Sequence, residues 1–380
     1  MSKIKIINGM VYEPAEKTFC SGDVYVEDGL IAEKDPEGEY QKIDAGGCMV
    51  MPGLIDFHVH YFEGGTENSV NPDSSAFPKG VATAIDGGSS GAANYEQFYR
   101  DVICKSKVRI KTYLNISSPG QITEQYPENL DARYFDEEKI RHLFQRYPQN
   151  LLGLKIRLSK GVAPREKAAA VKSLERTLEI AEGLGCNVVV HLTNPAFEIE
   201  EIAYMLRPGD VMCHIFQNIG HSILDAKGKV RRAIRRARER GILMDACNGK
   251  SNFNLDVAKR AVAQGFLPDI ISSDDNQITS YVQPMVSLPR VLSKYLAMGM
   301  KIEDILNAAI LAPARLMGCE GELATMKAGS IADIGIFKMK EKEVVYYDYT
   351  EENQLIGNRI LVPQLLIKDG RVVYRQTDFD

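Results

Sequence analysis

The chain has 380 residues, 44% of them hydrophobic and 26% charged, with a formal net charge of −5. This is the balance of a folded globular protein, and it gives no electrostatic reason to expect nucleic acid or an acidic membrane surface as a partner. The seven cysteines are odd in number and include no Cys-x-x-Cys pair, which argues for reduced thiols in a cytoplasm rather than a disulfide framework.

The start, MSKIKIINGMVYEP, lacks the apolar run of a signal peptide, and no segment approaches the roughly 18 apolar residues of a membrane span. KIKIINGMVY and DVYVEDGLIAEK alternate apolar and polar residues around Asn-Gly and Asp-Gly pairs, so this region reads as short strands joined by tight turns. The tail repeats the character in IADIGIFKMK, EVVYYDY and LLIKDGRVVYR. Two β-rich ends, residues 1–51 and 322–380, predict one small β-sandwich domain assembled from both termini around a different middle, 52–321.

That middle alternates apolar runs with helical stretches. LIDFHVH, VATAIDG, IKTYLNIS, GLKIRLS, NVVVHLT, DVMCHIF, GILMDAC and PDIISSD are the candidate strands. A helix is expected from near Pro164 to the glycines at 183 and 185, and another directly after Asn194-Pro195, running as AFEIEEIAYMLR. The basic run Lys227–Arg240 reads as a further helix with a solvated face and Val230, Ile234 and Ala237 buried. Eight strands suit a (β/α)₈ barrel, although an open doubly wound sheet shares the same alternation.

Polar residues decide between the two. In PGLIDFHVH, the side chains of Asp56, His58 and His60 share one face. The same parity turns Lys155 and Arg157 of GLKIRLS inward, with His191, His214 and Asp274 of the later strands. Asp274 is preferred to Asp275 by parity, which a one-residue slip would exchange. Five strands thus carry a potential ligand near their C-terminal ends, which converge on one mouth only in a closed barrel. Imidazole and carboxylate suit zinc, and two ions about 3.5–4 Å apart can share a hydroxide that attacks a carbonyl. An ammonium among such ions would be repelled, but a lysine that has taken up CO₂ is an anionic carbamate and can bridge them. Two Zn²⁺ against carbamate, Asp274 and hydroxide leave a positive field, to which Arg157 adds, so an anionic substrate is expected. Asp56 is read as orienting an imidazole, and Asp86 as doing the same or capping a turn. His142 reads as a surface residue and His221 as loop packing.

These residues resemble the amidohydrolase superfamily in its binuclear, carbamylated-lysine subtype, through MPGLIDFHVH, GLKIRLS, VVVHLTNP, CHIF, ISSD and LAPARLMGCEGELATMKAGSIADIGIF. The resemblance implies a distorted (β/α)₈ TIM barrel with the terminal β-sandwich. It implies that His58, His60 and Asp274 bind one metal ion, that His191 and His214 bind the second, and that Lys155 bridges. Asp274 would also be the general base. The segment from Phe57 to Phe98 is similar to a branch labelled dihydroorotase-like or adenine-deaminase-like, whose members resemble deacetylases of α-hydroxy acid esters and N-acetyl amino acids. That likeness implies a small carboxylate-bearing acyl substrate with Arg157 as its partner. The branch has a His in a D-x-G-H-G-like segment where this chain has DACNGKSNF, so Cys247 and Asn248 are read as hydrogen-bond donors to the substrate carbonyl.

The expected cofactors are two divalent ions, zinc by ligand type, and CO₂ on Lys155. The expected partners are the small anionic substrate and, by fold-level analogy, a second copy of the chain. Other readings remain open: a dihydroorotase-like cyclic amidase or isoaspartyl-type dipeptidase, a nucleobase deaminase, and a scaffold without catalysis. Lys155 counts against the deaminase, whose sites are usually mononuclear, and six retained ligand positions count against the scaffold.

Overall fold

The computed structural model describes residues 3–35, 38–281, 286–350 and 352–379. Five strands come first: β1 (Ile4–Glu13), β2 (Thr18–Glu27), β3 (Leu30–Ala32), β4 (Gln41–Asp44) and β5 (Met49–Pro52). Seven follow with helices between most of them: β6 (Leu54–Val59), β7 (Val81–Asp86), β8 (Arg109–Asn115), β9 (Leu151–Arg157), β10 (Asn187–His191), β11 (Val211–Cys213) and β12 (Leu243–Asp245). The last three are β13 (Ile334–Tyr347), β14 (Gln354–Lys368) and β15 (Arg371–Arg375).

Both ends of the chain do enter one sheet, in the order β15-β14-β13-β5-β1-β2-β3 with β4 beside β1. Ile4, Ile6, Val24, Val26, Ile43, Ile334, Ile336, Leu365 and Ile367 share a core of their own within it. The Asp-Gly pairs turn as read: Asp28-Gly29 and Asp369-Gly370 have positive φ at both residues, the backbone of a two-residue hairpin turn. Asn8-Gly9 does not turn. β1 runs straight through it with a bulge, Asn8 at φ 62° bonding Asp44 Oδ1 at 3.1 Å, because a side chain at Gly9 would strike Val50. EVVYYDY is likewise no separate strand but the end of the 14-residue β13.

The second sheet is parallel, β6 to β12 in sequential order. Its strands bury both faces, as Leu154, Lys155 and Ile156 illustrate, since helices cover the outside and side chains fill the inside. The predicted eighth strand forms no ladder. Its residues bridge both edges instead, Ile270 with Asp245 and Asp275 with Val59, and so close the barrel. Asp56 takes part in this closure rather than orienting an imidazole: it accepts Ser273 N at 3.0 Å and the Ser273 hydroxyl. Burial raises its carboxyl to about 7, against the pull of the Ser273 bonds.

The helix Lys167–Leu184 ends on Gly185 in the left-handed region, and Arg232–Glu239 buries Ile234 and Ala237. The helix expected directly after Pro195 starts later, at Ile199. Asn194 at φ 50° and the pairing of Pro195 and Ala196 with the segment after β9 hold the intervening residues out of it. No helix among the described residues is long and apolar enough to cross a membrane.

Candidate active site

The barrel mouth opens into a cavity of about 470 Å³ lined by His58, His60, Lys155, His191, His214 and Asp274 together. His58 lies in β6 and His60 just beyond it, Lys155 in β9 and His191 at the end of β10. His214 and Asp274 are reached by broken rather than regular strand geometry, with φ of 63° and 58°. Backbone of this kind costs about 1–3 kcal/mol per non-glycine residue and clusters at functional sites. At His214 it also defeats the parity rule: Cys213, assigned to the outside by alternation, points inward as well, its Sγ 3.2 Å from His58 Nδ1. Asp275 turns away to Tyr61, Ser75 and Lys79.

Within the cluster, Asp274 Oδ1 is 3.4 Å from His60 Nε2 and 3.9 Å from His58 Nε2, and Lys155 Nζ is 3.4 Å from His58 Nε2. The rings of His191 and His214 are 4.4 Å apart. Outer groups fix the rings. His60 Nδ1 meets Ser89 Oγ at 2.8 Å, and Ser89 donates to Asp86, which also caps the turn at Gly88 and Ser89. His214 Nδ1 donates to the Cys247 carbonyl at 3.1 Å. Such outer-sphere bonds choose the tautomer and aim the free nitrogen. Burial, then the charge of Lys155, lowers His58 to about 4, which keeps it a neutral ligand. Burial opposes ionisation of Asp274, but the His60 bond and the surrounding imidazoles hold it well below the usual carboxylate range.

The donor set fits a divalent cation. Ligand atoms of His58, His60 and Asp274 lie within 4.8 Å of one another, a spread that one ion roughly 2.0–2.2 Å from each N or O nearly spans. Lys155 is buried among them, and no carboxylate among the described residues pairs with it.

The three residues predicted to bind substrate are placed differently. Arg157 lines the cavity, but Glu128 takes its Nε and Nη2 at 3.0 and 2.6 Å and Glu124 takes Nη1 at 3.2 Å. Its charge is therefore spent within the protein. Cys247 and Asn248 are buried and do not line the cavity. Asn248 Nδ2 faces the Ala246 carbonyl and, at 3.2 Å, Tyr295 Oη. The loop that follows them does reach the mouth. A side chain at Gly249 would collide with Asp274, Asn252 Nδ2 donates to Asp274 Oδ2 at 3.0 Å, and Lys250 lines the cavity with no ion pair to any of the described residues. Sequence reading passed over Lys250 and Asn252, although both stand in the DACNGKSNF segment it had singled out. Tyr349 also lines the cavity, from a segment more than 70 residues beyond Asp274 that no local signal ties to the barrel.

A parallel barrel with imidazole, carboxylate and lysine side chains gathered at its C-terminal mouth is the architecture of a metal-dependent hydrolase. The amidohydrolase family model matches residues 49–373, and the chain belongs to that family. A deacetylase of Agrobacterium fabrum, Atu3266, is 32% identical over 80% of this chain and 74% of its own length. A deacetylase of Brucella anthropi is 30% identical over 87% and 81%. A crystal structure titled as an adenine deaminase superposes with a TM-score of 0.89 at 25% identity, covering 99% of this chain and all of that one. The family works with divalent metal, and His58, His60 and Asp274 are placed to hold it.

Proposed function

We propose that the protein is a deacetylase, removing an acetyl group from an ester or amide of a small carboxylic acid. The observation that carries this is the six-residue cluster at the mouth of a barrel whose curated relatives are named deacetylases. His58, His60 and Asp274 would hold one zinc ion and His191 and His214 the second, with the Lys155 carbamate between them. Once bound, such ions polarise the scissile carbonyl and bring water towards ionisation near neutral pH.

The chain's own groups complete the reaction. Asp274 stays ionised, so it accepts the proton of the attacking water and delivers it to the leaving oxygen or nitrogen. Water adds to the acetyl carbon, the C–O or C–N bond breaks, and acetate leaves beside the alcohol or amine. Asn252 holds Oδ2 and leaves Oδ1 turned towards His58 and His60. With Arg157 occupied by Glu124 and Glu128, the cation for a substrate carboxylate is Lys250. The setting we propose is cytoplasmic.

Metal content and turnover test the reading. Wild type, reconstituted with bicarbonate, is expected to hold about two equivalents of metal and to release acetate from an O-acetyl 2-hydroxy acid. Lys155→Ala is expected to lose metal and activity together. Two equivalents without acetate release, but with opening of a cyclic amide, would replace the acyl substrate by a ring. Lys250→Met is expected to raise KM for the acid by roughly 10–100-fold and to leave its carboxamide analogue unchanged. An equal loss on both would remove Lys250 from substrate recognition.

A further inference from the structure

Beside the candidate catalytic cluster lie two thiols that the reaction does not use. Cys213 Sγ and Cys247 Sγ, with one nitrogen each of His58 and His214, lie within 4.8 Å of one another, all four residues being buried. Two sulfurs and two imidazoles at this spacing are the ligand set of a four-coordinate tetrahedral ion, and thiolate selects soft, thiophilic metals. We propose that these residues form a thiophilic metal site, for Cd²⁺ or Cu⁺, whose occupation is exclusive with that of the catalytic site.

The exclusivity follows from His58. A neutral imidazole has one nitrogen free to accept and one that carries the proton. The catalytic cluster faces Nε2, 3.9 Å from Asp274 Oδ1, while Cys213 faces Nδ1 at 3.2 Å. With the catalytic cluster in use, Nδ1 carries the proton and donates to Cys213 Sγ, and the thiol passes its own proton 3.3 Å towards Asp245 Oδ2. Cys213 is then a positioning residue that fixes the ring. A soft ion reverses the arrangement: it displaces both thiol protons, which leave to solvent, Nδ1 becomes the ligand, and the His58 proton moves to Nε2. His58 is then lost to the catalytic cluster. His214 also belongs to both donor sets. The same fold thus contains its own point of inhibition by soft metals, set by the two histidines that both donor sets share.

The test is a Cd²⁺ titration of the reduced, metal-free full chain with exposed Cys20 and Cys104 replaced by serine. The expected result is thiolate-to-cadmium charge-transfer absorbance saturating at about one equivalent, with a cadmium NMR shift of mixed sulfur and nitrogen ligation. Cys213→Ser should remove roughly half of the absorbance, one thiolate of two, and Cys213→Ser with Cys247→Ser all of it. Cys48→Ser, in the terminal sheet, should change nothing. Prior loading with Mn²⁺ and bicarbonate, an ion that thiolate does not favour, should weaken Cd²⁺ binding at the thiols. Absence of the band in the starting protein, or its persistence in the double variant, overturns the site. Simultaneous full occupancy by both metals overturns the exclusivity. If the double variant does not fold, the cadmium shift of the unsubstituted pair decides, and an all-nitrogen-and-oxygen shift overturns the proposal.

Discussion

Lys294 shows how a single side chain behind the active site can govern stability. Its ammonium is buried, with Nζ 3.5 Å from the centroid of the Phe253 ring. Burial first, and then the charge of Arg290, lowers it from the ordinary 10.5 to about 7. The folded chain therefore gives up this proton more readily than the unfolded one. Stability from this residue is fully present above about pH 10.5 and is lost as pH falls through about 7. The cation–π contact offsets part of that cost. Lys294→Met is expected to stabilise the protein at pH 7 by on the order of 1–4 kcal/mol, and the gain should shrink as pH rises towards 10.5. Thermal melts of both proteins across this range check it, and a gap independent of pH would refute the account. At this scale the cluster in the cavity was legible because alternation and rare residue types suffice to turn His58, His60, Lys155 and His191 to one mouth. The inward turn of Cys213 and the pairing of Arg157 with Glu124 and Glu128 were not, because a left-handed residue and two distant glutamates are invisible to a parity rule.

The hairpin of β13 and β14 is the element whose reach was least foreseeable. Its strands are long enough to leave the terminal sheet and bring Asp348 and Tyr349 to the barrel mouth. There Asp348 accepts Asn254 Nδ2 and Leu255 N at 3.0 Å each, and Tyr349 Oη donates to Asn218 Oδ1. Asp348 thus secures the N-terminal end of the helix Leu255–Ala263, just after the loop that carries Lys250 and Asn252. Asp348→Ala is expected to cost roughly 1 kcal/mol, the scale of a lost helix cap, and to speed amide exchange in residues 249–256 over the rest of the barrel. Unchanged exchange in that loop would separate the hairpin from the site.

Across the whole molecule, barrel and terminal sheet are fastened at the barrel's lower end, away from the chemistry. Asp333 accepts Lys368 Nζ at 3.0 Å and the Arg109 guanidinium, and Arg109 reaches Asp369 at 2.9 Å. Lys368 and Asp333 are both 3% exposed. Removing Asp333 leaves Lys368 and Arg109 only the exposed Asp369, at 2.7 and 2.9 Å, so Asp333→Ala is expected to destabilise by about 1–3 kcal/mol while metal stoichiometry in the folded fraction is kept. Denaturant titration alongside metal analysis would show this, and a loss below about 1 kcal/mol would mean the pair is solvated.

What the amino-acid order determined by itself was local: which segments extend, which side chains share a face, and where Asp-Gly makes a hairpin. Those follow from periods of two and 3.6 residues and from backbone sterics, which need no knowledge of distant chain. Tertiary structure alone decided how the barrel closes without an eighth ladder, which carboxylates neutralise Arg157, and that Lys250 stands at the mouth. It also put two thiols beside the histidines. The physical reason is range: a charge or a lone pair is answered by whatever group folding brings within a few ångströms, and Glu128 or Cys213 can supply it from anywhere in the sequence.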